Sequence, residues 1–128
     1  MINNNVGKPF VGYVSLTNAA PGPVAFTLNT VRGGGVYALK ATEFVIITNI
    51  TLSSNDTANP LVTVDDGSPT FQPLQKGYVG SALPPVLLTY PPGMLPGYRG
   101  VNPRASAPAI TAAKTIECTI VGFIATTG

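Results

Sequence analysis

The chain has 128 residues, which is enough for one domain with its own hydrophobic core. Charged residues make up only 9% of it, against about 25% in ordinary globular domains. The net charge is +2 and the basic residues lie singly, which argues against nucleic-acid binding because such binding needs concentrated phosphate contacts. Apolar residues make up 45% and cluster in runs of strand length, which excludes a disordered chain.

The low charge needs a physical explanation, because a free domain usually carries enough charge to keep its copies apart. We therefore expect much of the outer surface to face other protein. The N-terminus has no apolar core of signal-peptide length, and no apolar run approaches the ~18 residues that span a bilayer. These features predict assembly in a cytoplasm.

The chain begins with a polar, turn-rich stretch, which predicts an N-terminal arm over residues 1–9 and a single domain over residues 10–128. The first predicted strand covers residues 10–17, because one of its faces is apolar or small. That face holds Phe10, Gly12, Val14 and Leu16. A second strand is predicted over residues 24–31, and after a run of glycines residues 36–41 resume extended structure.

The local signals agree best over the middle of the chain. Residues 43–53 are mostly apolar or β-branched, turn formers follow, and residues 61–64 are apolar again before an Asp-Asp-Gly turn. This order predicts a hairpin. The period-two rule places five residues on the inner face of its first strand. They are Phe44, Ile46, Thr48, Ile50 and Leu52.

The second half is rich in proline and glycine. Residues 68–75 predict a short edge strand, because Pro73 cannot donate a hydrogen bond to a sheet. Residues 84–90 are extended, residues 91–100 form a long loop, and residues 101–109 are irregular.

The last element is a long strand within residues 110–125. One apolar face holds Ile116, Cys118, Ile120 and Ile124. Val121 and Phe123 make the other face apolar as well, which predicts a central strand or a face covered by a neighbouring subunit. No segment has helical periodicity, so the predicted fold class is all-β. We expect an antiparallel sandwich or barrel with long Pro/Gly-rich loops and very little helix.

Catalytic chemistry is missing from the sequence. There is no histidine, which removes the commonest general base and the commonest zinc ligand. Glu43 and Glu117 fit ordinary strand positions, and the single cysteine, Cys118, fits a small buried apolar residue. We therefore predict no enzyme activity, no catalytic residues, no cofactor and no resident metal.

Two sets of residues have alternative interpretations. Asp56, Asp65 and Asp66 could supply oxygen ligands to a cation, although Asp66 followed by glycine fits a turn dipeptide better. Tyr90 and Tyr98 flank the Pro-rich loop and could form an aromatic platform for a sugar, but tyrosines also pin loops and pack in subunit interfaces.

The order of FVIITNITLSS, a short polar turn, LVTVDDG, a Pro/Gly-rich loop and a final TIECTIVGFIA resembles the small jelly-roll proteins of tailed phages and related viruses. These include head decoration (cement) proteins, minor capsid proteins and tips of tail fibres. The resemblance covers residues 42–125 and consists of a pattern of strands and turns. It implies a jelly-roll-like β-sandwich, commonly trimeric, that sits on or between capsomers.

We therefore expect a structural virion protein that binds and stabilises the shell as a homo-oligomer, with a trimer favoured, and that reaches the virion after assembly in the host cytoplasm. Its partners would be the major capsid protein or other virion proteins, without nucleic acid or membrane. The alternative is a receptor- or carbohydrate-binding module such as a tail-fibre tip. Predicted contact residues lie in the arm, in the Pro-rich loop and beyond it: Asn3, Asn4, Lys8, Phe10, Tyr90, Met94, Leu95, Tyr98, Arg99 and Arg104.

Overall fold

The computed structural model describes residues 7–31, 35–91 and 95–126, and within these ranges it contains strands and no helix. The strands are β1 (Lys8–Thr17), β2 (Val24–Ala25), β3 (Thr27–Thr30), β4 (Glu43–Ser54), β5 (Leu61–Asp65), β6 (Pro73–Tyr78), β7 (Val86–Thr89), β8 (Leu95–Pro96), β9 (Arg104–Ser106) and β10 (Thr115–Thr126).

The strands form two antiparallel sheets with the hydrophobic core between them. The larger sheet has the order β3-β1-β10-β4-β7, with β8 also paired to β4, and the smaller sheet has the order β2-β9-β5-β6. Without the short strands β3 and β8, each sheet has four strands, and the chain crosses between the sheets after β1, β2, β4, β6, β7 and β9. This order confirms the predicted all-β, jelly-roll-like sandwich.

Two predicted inner faces are confirmed. Along β1 the buried residues are Phe10, Gly12, Val14 and Leu16. Along β10 they include Ile116, Cys118, Ile120 and Ile124. Since β10 pairs with β1 on one side and β4 on the other, it is also the central strand that its two apolar faces predict.

A β-bulge lies in the middle of β4. Val121 of β10 pairs with Asn49, but its neighbour Gly122 pairs with Ile47, so that Thr48 is skipped in the register between the two strands. A bulge inserts one residue into a strand and therefore reverses the side on which the following side chains lie.

Because of this bulge, the predicted inner face of β4 is wrong in its first half. The buried apolar residues are Val45 and Ile47 before the bulge and Ile50 and Leu52 after it. Phe44 and Ile46, predicted to face the core, lie on the solvent side of the larger sheet and are partly exposed.

The predicted hairpin over residues 43–64 is also wrong, because β4 and β5 lie in different sheets. The turn formers between them make a crossover, and Asp56 holds it in place from a fully buried position. Its carboxylate accepts hydrogen bonds from the Ala58 N–H at 2.9 Å, the Thr111 N–H at 2.8 Å and the Thr111 hydroxyl at 2.7 Å. This contact joins two crossovers, so it belongs to the tertiary structure.

Three smaller predictions also change. The strand predicted over residues 24–31 breaks at Phe26, and its two halves join opposite sheets. Residues 36–41 contribute one isolated bridge, between Asn29 and Val36, instead of a strand. The irregular segment 101–109 contains β9, whereas β6 is an edge strand as predicted.

Candidate functional site

The solvent side of the larger sheet, which we call the outer face, is the broadest regular surface of the described residues. It consists of alternate residues of β1, β10, β4 and β7. They are Pro9, Val11, Tyr13, Ser15, Glu117, Thr119, Val121, Phe123, Phe44, Ile46, Asn49, Thr51, Ser53, Leu87 and Thr89.

The outer face carries apolar and hydroxyl groups and almost no charge. The register places Val11 beside Val121 and Tyr13 beside Thr119, and the Val121 side chain is 37% exposed. The single charged residue of the outer face is Glu117, whose carboxylate accepts a hydrogen bond from the Ser15 hydroxyl. Such a face has the low charge that is typical of the centre of a protein interface.

An open cleft of about 540 Å³ lies at one end of the outer face. It is lined by Ala41, Phe44, Pro96, Gly97, Tyr98 and Arg99. The chain after β8 is held beside the start of β4, because Gly97 N–H donates to the Val45 carbonyl at 2.8 Å and Gly100 N–H to the Glu43 carbonyl at 2.7 Å. A Cβ at Gly97 would lie 2.7 Å from the Val45 side chain, so glycine permits this close approach.

The cleft combines apolar walls with one cation. Phe44 and Pro96 supply apolar surface, and the Tyr98 ring is exposed beside them. Arg99 is exposed and forms no salt bridge with a described residue. The arrangement suits an apolar or ring-shaped group that carries a negative charge.

A buried carboxylate, Glu43, lies in the same part of the fold. The Tyr37 hydroxyl donates to both of its oxygens at 2.9 Å, the Lys40 N–H donates to Oε1 at 2.9 Å, and Lys8 Nζ lies 3.7 Å from Oε2. Burial alone would raise the pKa of Glu43, but these donors and the lysine charges together hold it below its usual value of 4.5. Glu43 is therefore an ionised structural group instead of a catalytic acid.

Two buried carboxylates, those of Glu43 and Asp56, make the stability of the fold dependent on pH. The pKa of Glu43 is below 4.5, and the hydrogen bonds from Ala58 and Thr111 hold the pKa of Asp56 below 3.8. A lowered pKa in the folded state stabilises the fold above the ordinary pKa, and this stabilisation is lost as the pH falls through the folded-state pKa. We expect the urea midpoint to be constant from pH 7 to about pH 5 and to fall steadily below about pH 4.

Urea unfolding at a series of pH values tests this expectation. The matched control is Glu43→Gln. Its urea midpoint should be lower than that of the wild type at pH 7, and it should fall less than the wild-type midpoint between pH 5 and pH 3. Equal midpoints for the wild type at pH 5 and pH 3 would contradict the role of the carboxylates.

Several predicted contact residues are not on the surface or lie outside the described ranges. Phe10 and Leu95 are buried in the core, so their side chains are not available to a partner. Lys8 begins β1 and contacts Glu43 and the Tyr37 ring, which places it in the sheet and not in a separate arm. Asn3, Asn4 and Met94 lie outside the described residues.

The two tyrosines of the predicted sugar platform have different environments. Tyr98 is exposed in the cleft, but Tyr90 packs against the core and its hydroxyl donates to Gln75 at 2.6 Å. Burial raises the pKa of Tyr90. Tyr90 therefore pins the chain after β7, and only Tyr98 is available for stacking on a ligand.

Arg104, another predicted contact residue, is used inside the fold. Its Nε donates to Asp65 at 3.0 Å, its second guanidinium nitrogen donates to the Ser68 carbonyl at 2.8 Å, and it lies 4.0 Å from the centre of the Phe71 ring. No local pattern indicates the pairing of Arg104 with Asp65, because 39 residues separate them.

The candidate cation ligands also have internal partners. Asp65 accepts hydrogen bonds from Arg104 and from the Gly67 N–H, and Asp66 accepts one from the Ser68 N–H, as expected of turn residues. Within the described ranges, no group of three or more metal-binding side chains comes together.

Burial raises the pKa of Cys118 to about 12, so the thiol is unreactive and acts as a small core residue.

The outer face was only partly visible in the sequence, through Val121 and Phe123. Within the described residues, no helix has the length and hydropathy needed to cross a membrane. Neither protein-family models nor curated protein sequences give a match to the chain. The surfaces of the fold are therefore the features from which a function can be inferred.

Proposed function

We propose that this chain is a structural protein of a virus particle, which acts by binding other protein through its outer face. In this role it is a capsid decoration, cement or minor capsid protein that binds and stabilises the shell as a homo-oligomer. The observation that carries the proposal is the outer face itself, where β1, β10, β4 and β7 present apolar and hydroxyl groups with one carboxylate among them.

The composition of the outer face favours protein as the ligand. A soluble domain that stays alone usually keeps mixed charges on such a surface, and contiguous exposed apolar patches mark interaction sites. The middle of the outer face is a row of Tyr13, Thr119, Thr51 and Leu87, which has no charge to desolvate. Burying such a row against another subunit releases water at little electrostatic cost.

The viral location is supported by the resemblance to small jelly-roll virion proteins and by the jelly-roll-like strand order, a recurrent architecture of capsid domains. The proposed partners are further copies of the chain and the major capsid protein or other virion proteins. Assembly takes place in the host cytoplasm, and the final location is the virion.

The cleft supports a second candidate function, a receptor- or carbohydrate-binding module such as a tail-fibre tip. Tyr98 and Arg99 together offer a stacking surface and a cation for an acidic sugar. This candidate is weaker, because Tyr90, the other half of the predicted platform, packs against the core and its hydroxyl is hydrogen-bonded to Gln75.

Placing a lysine in the outer face tests the main proposal. We expect Val121→Lys to weaken self-association by at least about tenfold, because each copy would then bury an unpaired charge. Light scattering over a range of concentrations measures the effect, and circular dichroism confirms that the variant is folded. Tyr78→Lys is the matched control, since Tyr78 is an exposed apolar residue on the other sheet.

Two results would overturn the proposal. A wild-type chain that stays at its monomer mass of 13.2 kDa at every concentration is not a homo-oligomer in solution. Self-association of Val121→Lys at the wild-type level would show that copies of the chain do not associate through the outer face.

A further inference from the structure

The edges of the two sheets differ in how they are protected. Of the edge strands, β2 and β8 have only two residues each, and β3 is covered because the Tyr37 N–H donates to the Leu28 carbonyl at 2.8 Å. β6 starts at a proline, has a register shift beside it and carries Lys76. Short length, covering segments, prolines and lysines are the usual means by which proteins keep sheet edges from pairing.

The remaining edge strand, β7, has four residues, and among them are no proline and no lysine. Its sequence is Val-Leu-Leu-Thr, it pairs with β4 alone, and the Leu87 side chain is 71% exposed. No backbone hydrogen bond from any other described residue reaches it. Among the described residues, nothing covers the backbone edge of β7.

The hydrogen-bond ladder between β4 and β7 shows which backbone N–H and C=O groups of β7 point away from the sheet. The Tyr90 N–H donates to the Thr48 carbonyl at 2.7 Å, so Tyr90 and the alternate residues before it face β4. Leu87 and Thr89 consequently direct their N–H and C=O groups away from the sheet. The natural ligand of such groups is another extended strand.

We propose that β7 pairs with β7 of a second copy, antiparallel across a two-fold axis. In this register Leu88 lies opposite the partner's Leu88, and Leu87 and Thr89 exchange hydrogen bonds with the partner's Thr89 and Leu87. The proposal rests on the proposed function, because it identifies the partner and the geometry of one of its contacts.

A second copy fits this edge better than a longer foreign strand. Pro84 and Pro85 precede β7 and Pro91 follows it by two residues, so the stretch that can pair freely is short. A two-fold pairing uses only this stretch, since both partners contribute the same residues. The two-fold contact also brings no like charges together, because β7 and the neighbouring outer-face residues of β4, Asn49 and Thr51, are uncharged.

The inferred contact predicts a dimer and not the trimer that the resemblance implies. Two outer faces become continuous across the joint, so that uncharged rows such as Leu87, Thr51 and Thr119 extend from one copy into the next. The native mass separates the two cases, because the dimer has twice and the trimer three times the chain mass of 13.2 kDa.

Thr89→Pro tests the contact directly. Proline removes an N–H that faces away from β4 and leaves the β4 ladder intact, as edge positions allow. We expect the dimer dissociation constant to rise by at least about tenfold, because two of the four hydrogen bonds across the axis are lost. Thr89→Ala is the matched control, since it also loses the 3.2 Å bond from Asn49 to the Thr89 hydroxyl but keeps the N–H.

Sedimentation velocity measures both variants, and amide hydrogen exchange on the wild type gives an independent readout if Thr89→Pro does not fold. The Leu87 and Thr89 amides should be protected at high concentration and exchange freely in the dilute monomer. Equal association of the two variants, or amides that exchange freely at all concentrations, would overturn the β7 contact. If Thr89→Pro associates normally while Val121→Lys does not, the proposed function stands without this contact.

Discussion

Replacing Arg104 with alanine is expected to lower the free energy of unfolding by about 3 to 5 kcal/mol. The Arg104 and Asp65 side chains are only 20% and 3% exposed, and Nε lies 3.0 Å from the carboxylate. Removing the guanidinium leaves Asp65 charged and buried, with the Gly67 N–H as its remaining donor in the structure. It also removes the bond to the Ser68 carbonyl and the contact with the Phe71 ring.

Urea unfolding of Arg104→Ala and of Lys8→Ala separates burial from charge. Lys8 forms the other salt bridge of the described residues, to Glu43, but its side chain is 52% exposed. Exposed pairs contribute little because water and salt screen them, so Lys8→Ala should stay close to the wild type. Comparable losses in both variants would show that burial does not decide the importance of the Arg104 pair.

Replacing Gly122 with alanine is expected to destabilise the fold by on the order of 3 kcal/mol or to prevent folding. A Cβ at this position would lie 1.9 Å from the Ile46 carbonyl oxygen and 2.9 Å from the Ile46 carbonyl carbon. Both are backbone atoms of β4, which is hydrogen-bonded to β10 at the bulge and cannot move away without breaking the ladder.

The matched control for this prediction is Gly77→Ala, which adds the same methyl group to another strand. Its nearest neighbour would be the Val86 side chain at 3.3 Å, and a side chain can shift by a few tenths of an ångström. Thermal unfolding followed by circular dichroism compares the two variants. A Gly122→Ala protein that melts at the temperature of the control would contradict the steric role of Gly122.

The bulge beside Gly122 links this stability prediction to function. Because the bulge turns Phe44 and Ile46 toward solvent, it adds two apolar residues to the outer face and one to the wall of the cleft. Without the bulge, side chains would alternate between the two faces of β4 without interruption, and Phe44 and Ile46 would lie on the core side with Ile50 and Leu52. The composition of the outer face therefore depends on the bulge between β4 and β10 at Gly122.

Features that depend on local chemistry are predictable from the sequence. Alternation along β1 and β10 predicted their buried faces correctly, because a strand buried on one side repeats every two residues. Pro73 predicted the edge position of β6, because its missing donor excludes a central strand. The sequence also lacks the apolar period of a helix, and this local feature predicted the all-β class.

Features that depend on distant partners become visible only in the folded chain. Turn formers after β4 suit a hairpin and a crossover equally, and the choice depends on Asp56 meeting Thr111, 55 residues further along. The side on which Phe44 lies depends on the bulge at Gly122, and the Tyr90 hydroxyl is held by its hydrogen bond to Gln75. A local pattern specifies which face of a strand is apolar, but strand pairing and bulges arise from contacts between residues that are far apart in the chain.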